Sequence, residues 1–144
     1  MTPVPVESES ANEELARRFL AAMGRLDVPA LSDLLAEDAT WWLAGDLPVS
    51  GFYDGKPAVI GDFLWSAAAL FELGSLGFEL HHLVSAADTV VAEYVGTGRG
   101  MISGTPYRNT YCTVFGCRDS KISSVREYLD TAHVGEVLYQ PGNA

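Results

Sequence analysis

After residue 77 the chain changes its hydrophobic period, and that change constrains the fold more than any other feature. Upstream, Leu15, Phe19, Ala22 and Met23 recur at helical spacing and Gly24 supplies a stop. A second helix starts near Val28 with Pro29 in its first turn and buries Leu31, Leu34 and Leu35. A third, from about Pro57 to Phe71, buries Val59, Ile60, Phe63 and Leu64. Between them "ATWWLAG" (39–45) predicts a strand, and "DLPVSGFYDGKP" predicts a loop. Downstream of "ELGSLG" the period is 2. Strands are predicted over 78–86, 89–100, 107–117 and 121–130, with turns at "ADT", "ISGTP" and "RDS". Helices followed by a run of antiparallel strands mean an α+β fold.

The 144 residues, 48% of them hydrophobic, suit one domain. An arm is expected over 1–10, the domain over 11–138 and a tail over 139–144. Nine Lys and Arg against nineteen Asp and Glu give a net charge of −10. The cations are scattered from Arg17 to Arg126, so nucleic acid is excluded as a partner. No apolar run approaches the ~18 residues of a membrane span, and "MTPVPVESES" lacks the pattern of a secretion signal. A cytoplasmic protein is expected. Cys112 and Cys117 stand an odd number of residues apart in one strand, which sends them to opposite faces and leaves both free. With the three histidines they form no zinc spacing, and no metal or other cofactor is expected.

Over 89–97 both faces of the predicted strand are apolar: Val90, Ala92 and Tyr94 on one, Val91 and Val95 on the other. Three helices cover one face of a sheet. The other, with Val91, Val95 and Val114, is expected to meet a second copy of the chain in a homodimer.

The order of elements, with "RLDVPALSDLLAEDATWW" early and "YRNTYCTVFGCRDSKISSVREYLD" late, resembles the nuclear transport factor 2-like superfamily over roughly residues 12–138. Within it the SnoaL-like branch, the group around polyketide cyclases, is the most similar. The resemblance implies a strongly curved, mixed or antiparallel sheet wrapped into a cone, with the three N-terminal helices closing a deep pocket. It also implies acid–base chemistry without a cofactor, by a cyclase, isomerase or dehydratase, on a small hydrophobic polyketide-like or terpenoid-like molecule. A non-catalytic binding protein of the same fold is the alternative.

Carried over residue by residue, the polar groups of ketosteroid isomerases fall on Phe19, Leu43 and approximately Tyr111, of which two are apolar. The site of limonene epoxide hydrolase falls on Gly96, Tyr94 and Glu127, which keeps only a carboxylate. The catalytic aspartate of the cyclases matches Asp130, but their histidine is missing from Thr110-Tyr111-Cys112. The resemblance therefore points to Glu127, Asp130 and Tyr111 as catalytic candidates. Trp41, Tyr94, Phe19, Leu43, Asn109, Phe63 and His82 are the candidate walls, His81 and His82 splitting between the faces. Gly96, Gly98 and Gly100 sit inside a strand with no helix behind them, so they are no phosphate loop; they let the sheet bend or leave room above it.

The hairpin around "RDS" decides which way Glu127 points. A three-residue loop sets Tyr111 opposite Glu127 and Arg108 opposite Asp130; a two-residue loop slips the register by one and turns Glu127 out. The resemblance places 111 and 127 inward, hence the three-residue loop. Glu127 would then be a general base whose pKa is raised by burial, and Asp130 a rim carboxylate paired with Arg108.

Overall fold

The computed structural model describes residues 6–141. Helix α1 (Val6–Arg25) already includes the end of the segment expected as an arm; residues 1–5 lie outside the described residues. Helix α2 (Val28–Leu34) is capped by Asp27, whose side chain accepts a hydrogen bond from the Ala30 N–H at 3.2 Å, with Pro29 in the first turn. At Leu35 the backbone extends and runs straight into strand β1 (Leu35–Leu43).

Strand β2 (Gly51–Asp54) falls where a loop is predicted. It is four residues long between two glycines, and Phe52–Tyr53 offers too little alternation to reveal it. Helix α3 spans 56–68: Lys56–Ala58, a π-helical stretch Val59–Leu64, then Trp65–Ala68. Strands β3 (Gly77–Ala86), β4 (Thr89–Arg99), β5 (Pro106–Arg118) and β6 (Lys121–Leu129) follow. The chain continues into helix α4 (Thr131–Leu138), which is absent from the sequence reading.

The six strands form one sheet in the order β2-β1-β6-β5-β4-β3. Only β1 and β6 are parallel, so the sheet is mixed, and it is curled without closing. Helix α1 lies across β3, β4 and β6, and Leu15 and Phe19 enter the core formed with Trp41, Val90, Phe115 and Val125. Each such large side chain contributes roughly 1.5–3 kcal/mol on burial.

The β5–β6 hairpin departs from the expected register. Asp119 and Ser120 both have positive φ, the signature of a two-residue turn, and Arg118 pairs with Lys121. That turn alone would point Glu127 outward. One extra residue between Ile122 and Ser124 restores the phase. Ser123 forms a β-bulge, so that Thr113 opposes Glu127 and Tyr111 opposes Leu129. The expected Tyr111–Glu127 pairing is thus wrong, although both residues do face inward. The phase slip is written in the sequence: Ile122 and Val125, three apart, share a face only if one residue bulges. A similar irregularity between Leu80 and His82 leaves both His81 and His82 exposed, where alternation predicts opposite faces.

Gly96 provides space in place of a side chain. A Cβ there would sit 2.7 Å from the Tyr111 ring and 2.9 Å from the Phe78 ring, and both rings wall the cavity described below. Overpacking of this kind costs about 1–3 kcal/mol. Gly96→Ala is therefore expected to fold with a melting midpoint several degrees lower. An unchanged midpoint would mean that the rings move aside freely.

Candidate active site

The curled sheet, the end of α1, α2, α3 and α4 surround an open cavity of about 510 Å³. Its walls are apolar side chains such as Met23, Leu31, Leu43, Phe63 and Val134, interrupted by Glu127, Tyr107 and Tyr111. Among the described residues no Lys, Arg, His or Asp lines it.

Glu127 is 6% exposed. Its Oε1 accepts one hydrogen bond, 3.2 Å from the Nε1–H of Trp41, which alternation along β1 turns inward. Trp41 is held between Phe19 and Phe63, with ring centroids 5.9 and 4.8 Å away. Burial pushes the Glu127 carboxyl up to about 7, and the Trp41 hydrogen bond, a smaller effect, pulls the other way.

Two residues further along the inner face of the sheet stands Tyr111. Its hydroxyl lies 2.6 Å from that of Tyr107, and its ring stacks nearly parallel on Tyr94 with centroids 5.1 Å apart. Burial raises all three phenols, Tyr107 to about 12, so each stays protonated at neutral pH. Of the two O–H protons in the Tyr107–Tyr111 pair, one is used between the hydroxyls. The other is left to donate to a ligand.

The remaining sequence candidates separate cleanly. Leu43 and Phe63 are cavity walls. Trp41, Phe19 and Tyr94 lie behind the walls, in the core; the Tyr94 hydroxyl is engaged with Thr113 Oγ1 at 2.7 Å. Asn109 is buried but serves the backbone: its Nδ2 donates to Asp130 O at 2.9 Å, and its Oδ1 accepts from the Asp130 N–H at 3.2 Å. His82 is on the outer face, 3.0 Å from Glu93.

Asp130 is not at the cavity. It is the exposed N-cap of α4, its Oδ1 accepting from the His133 N–H at 3.2 Å. The expected Arg108–Asp130 ion pair does not form, because β6 ends at Leu129 and the cap turns the carboxylate onto the helix. The residue missed was Tyr107. It lies four before Tyr111 on the same strand, and alternation alone puts the two on one face.

The comparisons with known proteins agree with this architecture. Residues 16–125 match the model of the SnoaL-like domain. The chain belongs to the SnoaL-like domain family. Its relatives include the uncharacterised protein YesE of Bacillus subtilis, 29% identical over 138 residues, 92% of this chain and 89% of that one. A Bacillus subtilis protein of known structure is 27% identical, covering 94% of this chain and 98% of that one with a TM-score of 0.81. A nuclear transport factor 2-like protein from Burkholderia xenovorans is 26% identical, covering 90% and 96%, with a TM-score of 0.72. This SnoaL-like chain is thus a member of the nuclear transport factor 2-like superfamily whose sheet is curled without closing.

The raised carboxyl has a consequence for stability. Glu127 ionises near 4.5 when unfolded and near 7 when folded, so the native state holds the proton more tightly. The resulting stabilisation is complete below pH 4.5 and is lost as pH rises to 7, on the order of 3 kcal/mol. Glu127→Gln has no such proton to lose. In melts from pH 4.5 to 8 the variant is expected to gain on the wild type by that order. A constant difference would mean that Glu127 titrates normally.

Proposed function

We propose that this SnoaL-like protein is a cofactor-free acid–base enzyme, a cyclase, isomerase or dehydratase acting on a small hydrophobic polyketide-like or terpenoid-like molecule. The observation that carries the proposal is one carboxyl raised to about 7 in an apolar cavity that also contains a hydrogen-bonded phenol pair. Proton abstraction needs a base poised near the working pH. It also needs a donor aimed at the oxygen that gains charge. Glu127 supplies the first, and the free O–H of the Tyr107–Tyr111 pair supplies the second. In this reading Glu127 takes the proton from the carbon beside a carbonyl and the phenol donates to the enolate oxygen. The protonated Glu127 carboxyl then returns the proton elsewhere on the carbon frame.

The test uses 2-tetralone, an uncharged ketone with an acidic C–H, and follows its deuteration in D₂O by NMR. The wild type is expected to accelerate exchange at the carbon beside the carbonyl, and Glu127→Gln to reduce that acceleration by ~10²-fold or more. Asp130→Asn should leave the rate unchanged once any loss of the helix cap is corrected for by the folded fraction. Exchange at the wild-type rate in Glu127→Gln would overturn the assignment. Absence of acceleration by the wild type would favour a protein that binds without turnover.

The outer sheet face supports a second proposal, a homodimer. Cross-strand pairing sets Val84, Val91, Val114, Arg126, Trp42 and Phe52 in one row across all six strands, with Val84 and Phe52 each 63% exposed. Val95, expected to be bare on this face, is buried. Glu79 and Glu93 lie to the β3–β4 side of that face, and Arg108 and Arg126 to the β5–β6 side. A twofold axis can bring each sign against the other. Sedimentation at micromolar concentration is expected to give about twice 15.5 kDa; a single species at the monomer mass would overturn it.

A further inference from the structure

The charge pattern of the cavity selects one class of ligand more sharply than its apolar walls do. Among the described residues Glu127 is its sole ionisable group other than phenols, and no cationic side chain lines it. Six aromatic residues line the same space: Phe63, Trp65, Phe71, Phe78, Tyr107 and Tyr111. Phe63 packs on the Trp41 that bonds Glu127, and Phe78 packs edge-on against Tyr111. A carboxylate among aromatic rings, without a resident counter-ion, is the complement of an organic cation.

We propose that the cavity binds hydrophobic amines, with the ammonium against Glu127 and the apolar body among the rings. The proposal rests on the placement of Glu127 that the proposed function also uses, but requires no turnover. An ammonium entering the cavity loses its water, and three kinds of contact replace it. These are the Glu127 carboxylate, the lone pairs of the Tyr107 and Tyr111 hydroxyls, and the ring faces. The entering charge also compensates the carboxylate, which otherwise stands buried with one hydrogen bond. Anionic ligands meet the opposite situation, with no cation in the wall and a chain whose net charge of −10 repels them on approach.

The groups that face Glu127 fix the pH dependence. Tyr94 from β4 and Tyr107 and Tyr111 from β5 stay protonated at neutral pH, and Trp41 from β1 does not titrate. A simple alkylamine, like lysine, stays charged to about pH 10. Of these groups only Glu127 changes state between pH 6 and 8, and binding requires its ionised form.

The probes are dimethyl(4-phenylbutyl)amine and its uncharged carbon isostere (5-methylhexyl)benzene, titrated into the protein by calorimetry or intrinsic tryptophan fluorescence. At pH 8 the amine is expected to bind about tenfold tighter than the isostere, or better. Its affinity should fall about tenfold at pH 6, following the ionised fraction of a carboxyl near 7, while the isostere shows no such loss. In Glu127→Gln the preference for the amine should vanish. Equal binding of the two probes by the wild type would overturn the inference without needing the variant to fold, and so would a preference that survives in a folded Glu127→Gln. A protein that exchanges the protons of 2-tetralone yet treats the two probes alike loses this inference only. One that prefers the amine but exchanges nothing loses the catalytic proposal only.

Discussion

One buried carboxyl with one hydrogen-bond donor sets the terms for the rest of this molecule. An ionised glutamate in an apolar cavity is costly unless it is compensated, and Glu127 has only the Trp41 indole among the described residues. The surrounding structure therefore leaves it half-satisfied: neutral at mildly acid pH, charged above about 7, and ready to change state when a ligand arrives. Both chemical readings, proton abstraction from a neutral ketone and pairing with an amine, draw on that one incomplete interaction.

Two devices keep it in place. The Ser123 bulge compensates for a two-residue turn, so that Val125 and Glu127 continue the inner face begun by Ile122. The aromatic stack Phe19–Trp41–Phe63 then fixes the indole that reaches the carboxyl. On the opposite side, the missing side chain of Gly96 lets Phe78 and Tyr111 settle onto the sheet, and Tyr111 in turn meets Tyr107. Helix α4 completes the wall with Val134 and Leu138.

Asp130 shows how little a residue type says about its role. It lies three residues from Glu127 and matches the position of a catalytic aspartate in the cyclases. Here it is spent on capping α4 and on the two backbone hydrogen bonds with Asn109. Exposure makes the difference. The exposed carboxylate serves as a helix cap, whereas burial destabilises the charged form of Glu127.

The sequence by itself determined the class of the fold, because hydrophobic period is a local property: 3.6 over Leu15–Met23, 2 over most of 78–129. It also placed Glu127, Tyr111, Leu43 and Phe63 around a cavity, by resemblance and alternation together. It carries the phase slip between Ile122 and Val125 and the Tyr107–Tyr111 spacing. What only the tertiary structure decided was everything set by pairing and by the accumulated geometry of bulges. This includes the strand partners, the exposure of both His81 and His82, the removal of Asp130 from the site, and the position of Trp41 behind the wall rather than in it. The physical reason is that a single inserted residue inverts every side chain beyond it, and whether the chain inserts one depends on which distant strand it must match.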